Sequence, residues 1–126
     1  MKKIIKTSKA PLPIGPYNQA VLSNGTLFIS GQIPMNPETK ELISDSIEAA
    51  TNQVMANLKA ILIDAGMSFE NVVKTSIFLS DMNDFSAVNA VYATFFNEAT
   101  APARETVQVA GLPLGVPVEI SMIAIK

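Results

Sequence analysis

No cysteine and no histidine occur among the 126 residues. Disulfides, thiol nucleophiles and thiolate metal sites are therefore impossible. The usual zinc ligand sets and the Ser-His and Cys-His catalytic pairs are missing too. Tryptophan is absent and aromatics make up only 6% of the chain, which leaves little for a base-stacking platform. Charged residues are few, at 16%, and the net charge is −2 with a pI near 5.0. No basic stripe is visible, which argues against a nucleic-acid partner. Long apolar runs are also lacking. The opening "MKKIIKTSKA" has two consecutive isoleucines, short of the roughly 7–15 apolar residues of a signal peptide. No run approaches the ~18 apolar residues of a membrane span. We therefore expect a cytoplasmic protein with no membrane partner. Its chemistry must come from carboxylates, hydroxyls, lysine, arginine, backbone groups and water, and no phosphate loop, zinc motif or nucleophile elbow is present.

What remains is rich in apolar residues, at 48%. That is high for a small monomer and suits one domain over residues 1–126 that also buries surface between subunits. "KKIIK" reads as an edge strand flanked by lysines. "APLPIGPYNQ" is a proline-rich connection. Asn24-Gly25 lies between two apolar runs and predicts a hairpin joining strands near 18–23 and 26–30. "GQIPMNPETKEL" reads as a loop. Asp45 and Glu48 have the spacing of a helix cap and its reciprocal partner. Ile47, Ala50, Val54, Leu58, Ile61 and Ala65 then form one helical stripe, closed by Gly66. "VVKTSIFL" is rich in β-branched residues and predicts a strand. A second helix is expected from near Asp84, with the stripe Phe85, Val88, Tyr92 or Val91, Phe95 and Ala99. "ETVQV" and "PVEISMIAI" complete the set as strands.

This order predicts an α+β, two-layer domain in which two helices lie on one face of a mixed sheet of about six strands. The last strand is apolar on both faces, with Met122 and Ala124 on one side and Ile123 and Ile125 on the other. Such a strand is usually buried on both. A second subunit is the expected cover for the helix-free face. The alternative is that the 31–44 loop folds over it.

Two ionisable side chains stand out. Arg104, in "TAPARETVQVAGLP", is the only arginine beside eight lysines. Lysine supplies charge equally well, so the planar fork itself is the feature of interest, and it suits a carboxylate or phosphate. A weakly paired surface arginine is the simpler reading. Glu119 lies between Val118 and Ile120 in an apolar strand. Burial would raise its pKa and suit it to proton transfer; an outward, solvated glutamate is the simpler reading. Tyr17 after a Gly-Pro turn, Ser30-Gly31 at a strand end and Asn89 in a helix are weaker candidates.

The segments "IGPYNQAV", "LFISGQIP", "NDFSAVNAVYATFF" and "APARETVQVAGLPLGVPVEI" together resemble the YjgF/Rid family of reactive-intermediate enamine/imine deaminases. The likeness runs over essentially the whole chain. Its most specific element is Pro-Ala-Arg followed, fifteen residues after the arginine, by Glu119. The resemblance implies a chorismate-mutase-like fold, a homotrimer and three ligand clefts between neighbouring subunits. It implies cofactor-free hydrolysis of imines of 2-aminoacrylate and 2-aminocrotonate to 2-keto acids and ammonia. By position, Arg104 would anchor the substrate carboxylate and Glu119 would activate water. Tyr17, Ser30, Gly31 and Asn89 would line the cleft, with backbone groups at Arg104 and Thr106 assisting. Thr106 stands where many members have cysteine, and Glu105 where a small residue is usual. Strand alternation points Glu105 away from Arg104. A non-catalytic module binding 2-keto acids in the same cleft is the alternative, and Glu119 discriminates the two. A ribonuclease reading is disfavoured by the acidic pI.

Overall fold

A computed structural model describes Met1 to Lys126. Six strands form one sheet: β1 (Lys2–Ile5), β2 (Ala20–Ser23), β3 (Thr26–Gln32), β4 (Val72–Leu79), β5 (Ala103–Gln108) and β6 (Val118–Ile125). Their spatial order is β1-β2-β3-β6-β4-β5. Only β4 and β5 pair in parallel; the other neighbours are antiparallel. Helices α1 (Ile47–Asp64) and α2 (Phe85–Ala93) cover one face. The architecture is the expected two-layer α+β sheet.

Local chemistry explains the elements. Asn24 and Gly25 take φ of 50° and 78°, the left-handed pair that a tight hairpin turn needs, and Ser23 faces Thr26 across it. β2 starts at Ala20, not 18, and the Gln19 side chain serves the preceding loop. Its amide oxygen accepts from the Thr7 N–H, and its nitrogen donates to the carbonyls of Thr7, Ala10 and Pro11. β5 starts at Ala103, two residues before the expected Glu105, so Arg104 lies within the ladder opposite Thr75.

The cap of α1 is Ser46, not Asp45: its hydroxyl accepts from the Ala49 N–H at 3.0 Å. At the other end, Gly66 takes φ 73°. Met67 N–H reaches the Leu62 carbonyl at 2.8 Å and Gly66 N–H the Ile63 carbonyl at 2.9 Å, the paired closure of a helix on a left-handed glycine. Ala50, Val54, Leu58 and Ile61 of the expected stripe are fully buried. A buried aliphatic side chain contributes about 1.5–3 kcal/mol, against about 1 kcal/mol for a cap, so packing holds this helix. α2 is shorter than its stripe suggests. It ends at Ala93, where the Thr94 hydroxyl turns back to the Val91 carbonyl. Phe95 and Ala99 thus fall outside the helix, and Phe95 and Phe96 pack edge-on against Phe69.

The core lies between helices and sheet: Leu27, Ile29, Ile77, Leu79, Val118, Ile120 and Met122 are all buried under the two helices. The opposite sheet face is open. An apolar row, Ile4, Val21, Phe28 and Ile123, crosses four strands there, and Phe28 and Ile125 are about half exposed, at 49% and 48%. The 31–44 loop does not cover it. Asn57 on α1 donates to the carbonyls of Ile33 and Met35, which holds that loop to the helix layer. No helix is long and apolar enough to cross a membrane.

Replacing the cap separates Ser46 from its neighbour. Ser46→Ala should lower unfolding free energy by about 1 kcal/mol and Asp45→Ala by less than about 0.5 kcal/mol, both read from urea denaturation midpoints.

Candidate functional site

Strand alternation divides the candidate residues into two groups. Thr75 on β4 faces the helices, and Arg104 is its register partner, so Arg104 projects to the helix side. Glu119 pairs with Phe78, which pairs with Val107, and this row faces the open side. Arg104 and Glu119 of one chain therefore stand on opposite faces of the sheet, and no hydrogen bond or ion pair joins them.

The Arg104 group sits at the sheet edge against α2. Arg104 Nη1 donates to Asn89 Oδ1 at 2.8 Å. Its guanidinium carbon lies 4.9 Å from the Tyr92 ring centre and 5.9 Å from that of Phe85. Phe85, Asn89 and Tyr92 are spaced four and three apart and so share one helix face. The one ion pair in the chain joins Lys74 to Glu105 at 2.8 Å, so no carboxylate neutralises Arg104. A cavity of about 690 Å³ opens beside it, walled by Tyr92, Phe96, Pro102 and Glu98 among others. Asn89 is thus not the exposed amide that helical position suggested; it braces the arginine.

Glu105 points to the open face, as alternation requires. It binds Lys74 and accepts from the Ser76 hydroxyl, and these bonds hold its carboxyl below the ordinary glutamate range. Thr106 shares the helix side with Arg104 but does not line its cavity. The Thr106 hydroxyl is buried without any hydrogen-bond partner. Its backbone belongs to an edge strand, which leaves groups not paired with β4 open to a ligand.

The Glu119 group lies on the other face. Tyr17, Ser30, Gly31 and Glu119 line one cavity of about 390 Å³, with Ile14, Ile33, Pro113 and Leu114 as apolar walls. β3 carries one extra residue here: Ile29 faces Met122 and Gln32 faces Ile120. The bulge turns both Ile29 and Gln32 inward and lays Gly31 directly under Glu119. A methyl group on Gly31 would stand 2.5 Å from the Glu119 carboxylate, so only glycine lets the carboxylate rest on the strand. The Ser30 hydroxyl is already engaged, donating to the Asn18 carbonyl at 2.6 Å. Tyr17 is half exposed, with its N–H on the Gly15 carbonyl at 2.8 Å. Burial pushes the Glu119 carboxyl above its ordinary value, in keeping with its apolar walls.

Sequence reading missed Tyr92 and Phe85 as site residues, because an aromatic at helical spacing reads as core. It also missed Leu114, whose φ of 56° is rare for a leucine and projects the side chain over Glu119's cavity. No group of three His, Cys, Asp or Glu side chains could hold a metal ion.

A family model described as "Endoribonuclease L-PSP" matches residues 7–126. The chain is 54% identical over 124 residues to the RutC family protein slr0709 of Synechocystis sp., covering 98% of this chain and 95% of that one. It is 46% identical over 126 residues to the 2-iminobutanoate/2-iminopropanoate deaminase of Mus musculus, covering 100% of this chain and 93% of that one. The crystal structure of E. coli TdcF with bound serine matches with a TM-score of 0.92 at 44% identity, covering 98% of each chain.

Two outcomes are expected from these environments. Thr106→Val removes a buried hydroxyl without a partner, so the variant should gain about 1 kcal/mol in denaturant unfolding. The raised Glu119 pKa means that the folded chain holds this proton more tightly than the unfolded chain. That contribution is fully present below the ordinary glutamate pKa of 4.5 and is lost as pH rises through the folded value. The stability of wild type relative to Glu119→Gln should therefore fall as pH rises above the ordinary value of 4.5, measured by thermal melts over a pH series.

Proposed function

The chain belongs to the YjgF/Rid family, and from that premise we propose that it hydrolyses 2-imino acids, the imines of 2-aminoacrylate and 2-aminocrotonate, to 2-keto acids and ammonia. The observation that carries the reading is the Arg104 guanidinium. It is held by Asn89 and two aromatic rings, opens on a cavity and has no acidic partner. An unneutralised, oriented fork of this kind suits a small carboxylate.

The chemistry needs little more. Water adds to the imine carbon and a first proton passes from the attacking oxygen to nitrogen; a second follows from the resulting hydroxyl, the carbon–nitrogen bond breaks, the oxygen becomes the ketone and ammonia departs. Glu119, its pKa raised by burial, takes each proton from oxygen and passes it to nitrogen. Such help contributes about 10²–10⁴-fold, and holding the carboxylate and the water together supplies proximity. Backbone groups at Arg104 and Thr106 complete the polar lining. Since Arg104 and Glu119 occupy opposite sheet faces, a molecule touching both lies between two chains. A homotrimer with clefts at its seams meets this requirement, and the exposed apolar row on the open face suits its contact. The family description names an endoribonuclease; the net charge of −2 and the single arginine favour a small acid over a phosphate backbone here.

The test couples the protein to a threonine or serine dehydratase and follows keto-acid release. Arg104→Lys should lose at least about tenfold, since a point charge cannot hold both oxygens. Glu119→Gln should lose about 100-fold or more while still binding 2-oxobutanoate. Equal turnover by Glu119→Gln and wild type would leave a binding module in place of an enzyme. Size-exclusion with light scattering should give three copies.

A further inference from the structure

Tyr92 is packed as a core residue yet touches the candidate site. Its ring lies under the Arg104 guanidinium at 4.9 Å, and its hydroxyl donates to Thr75 Oγ1 at 2.9 Å. Both partners of that hydrogen bond are buried. Thr75 is in turn the register neighbour of Arg104 across β4 and β5. The contacts close a ring through three elements: Arg104 on β5, Tyr92 on α2, Thr75 on β4, and back through the strand ladder.

We propose that Tyr92 and Thr75 are positioning residues that set the plane of the Arg104 guanidinium for a carboxylate ligand. The proposal rests on the reading of Arg104 as a carboxylate anchor. An arginine side chain carries about 2 kcal/mol of rotamer entropy, which binding must otherwise remove. Packing over the Tyr92 face restricts the orientations open to the guanidinium. Asn89 occupies a donor on Nη1. The Nε and Nη2 donors then form an intact pair for two carboxylate oxygens. The Thr75 bond keeps the ring from sliding, because it ties the far end of Tyr92 to the strand beside Arg104. Phe85, at 5.9 Å and more exposed, adds a weaker second face. Tyr92 and Thr75 need not touch the ligand; they act through Arg104.

Calorimetric titration of 2-oxobutanoate into the full chain tests this, using Tyr92→Phe, Thr75→Val, Tyr92→Leu, Arg104→Lys and the double variant Tyr92→Leu/Arg104→Lys. Tyr92→Phe and Thr75→Val, which remove only the tie, should weaken binding about threefold. Tyr92→Leu, which removes the face, should weaken it about tenfold. The double variant should bind no more weakly than Arg104→Lys alone, because Tyr92 has nothing left to orient. Losses that add in the double variant would mean that Tyr92 acts on the fold at large, and the proposal fails. Wild-type affinity in Tyr92→Leu overturns it as well. Wild-type affinity in Arg104→Lys overturns instead the assignment of Arg104 as anchor, and with it the premise. If Tyr92→Leu does not fold, Tyr92→Phe and Thr75→Val carry the measurement, and unchanged affinity in both counts against the proposal.

Discussion

Residues in a β-strand alternate between faces, and this chain is organised by that alternation. Arg104 and Glu105 are adjacent in sequence and serve different surfaces: one braces against α2, the other binds Lys74 on the open side. Glu119 alternates with Val118 and Ile120, so the residues that build the core on one face necessarily send the carboxylate to the other. One strand, β4, separates β5 from β6, and side chains on opposite faces of the sheet cannot meet across it. The apolar surface left open by a two-layer fold and the divided candidate site thus have one origin.

Departures from strict alternation occur where the site needs them. The extra residue in β3 lets Ile29 and Gln32, three apart, both face inward, and it leaves Ser30 and Gly31 bowed out beneath Glu119. β4 has a second irregularity between Val72 and Lys74, which buries both Val72 and Thr75. That shift delivers Thr75 to the helix side, where it meets the Tyr92 hydroxyl. Each bulge re-aims a side chain without breaking the sheet.

Two buried amides hold the loops that frame the cavities. Gln19 makes four hydrogen bonds to the 7–11 segment, ahead of the turn that carries Tyr17. Asn57 anchors the segment after Gln32 to α1. Both are nearly or fully buried, and an unpaired amide there would cost about 1–3 kcal/mol. Their loops must therefore follow paths that supply carbonyls. Proline-rich connections with few apolar contacts acquire defined courses in this way.

Much of the fold was legible in the residues themselves. Hairpin, strands, the long helix and the layer architecture follow from period, turn chemistry and β-branched content, all of which act over a few residues. The errors were also local in kind. Ser46 displaced Asp45 as cap because neighbouring cap residues compete through backbone geometry that composition does not reveal, and α2 closed at Ala93 with the tighter bonds from the Thr94 and Phe95 N–H to the Val91 and Tyr92 carbonyls. Arg104 and Glu119 were identifiable from their chemical isolation in apolar or lysine-only surroundings. What pattern alone could not supply was the company they keep. Asn89 and Tyr92 looked like a helix flank and a core stripe; contact across α2, β4 and β5 made them the bed of a guanidinium. The chain's own chemistry determined its elements, its lack of thiol and imidazole function, and its two notable charges. Tertiary structure decided that those charges face apart and which neighbours orient them, because faces and cross-element contacts depend on register and bulges between residues far apart along the chain.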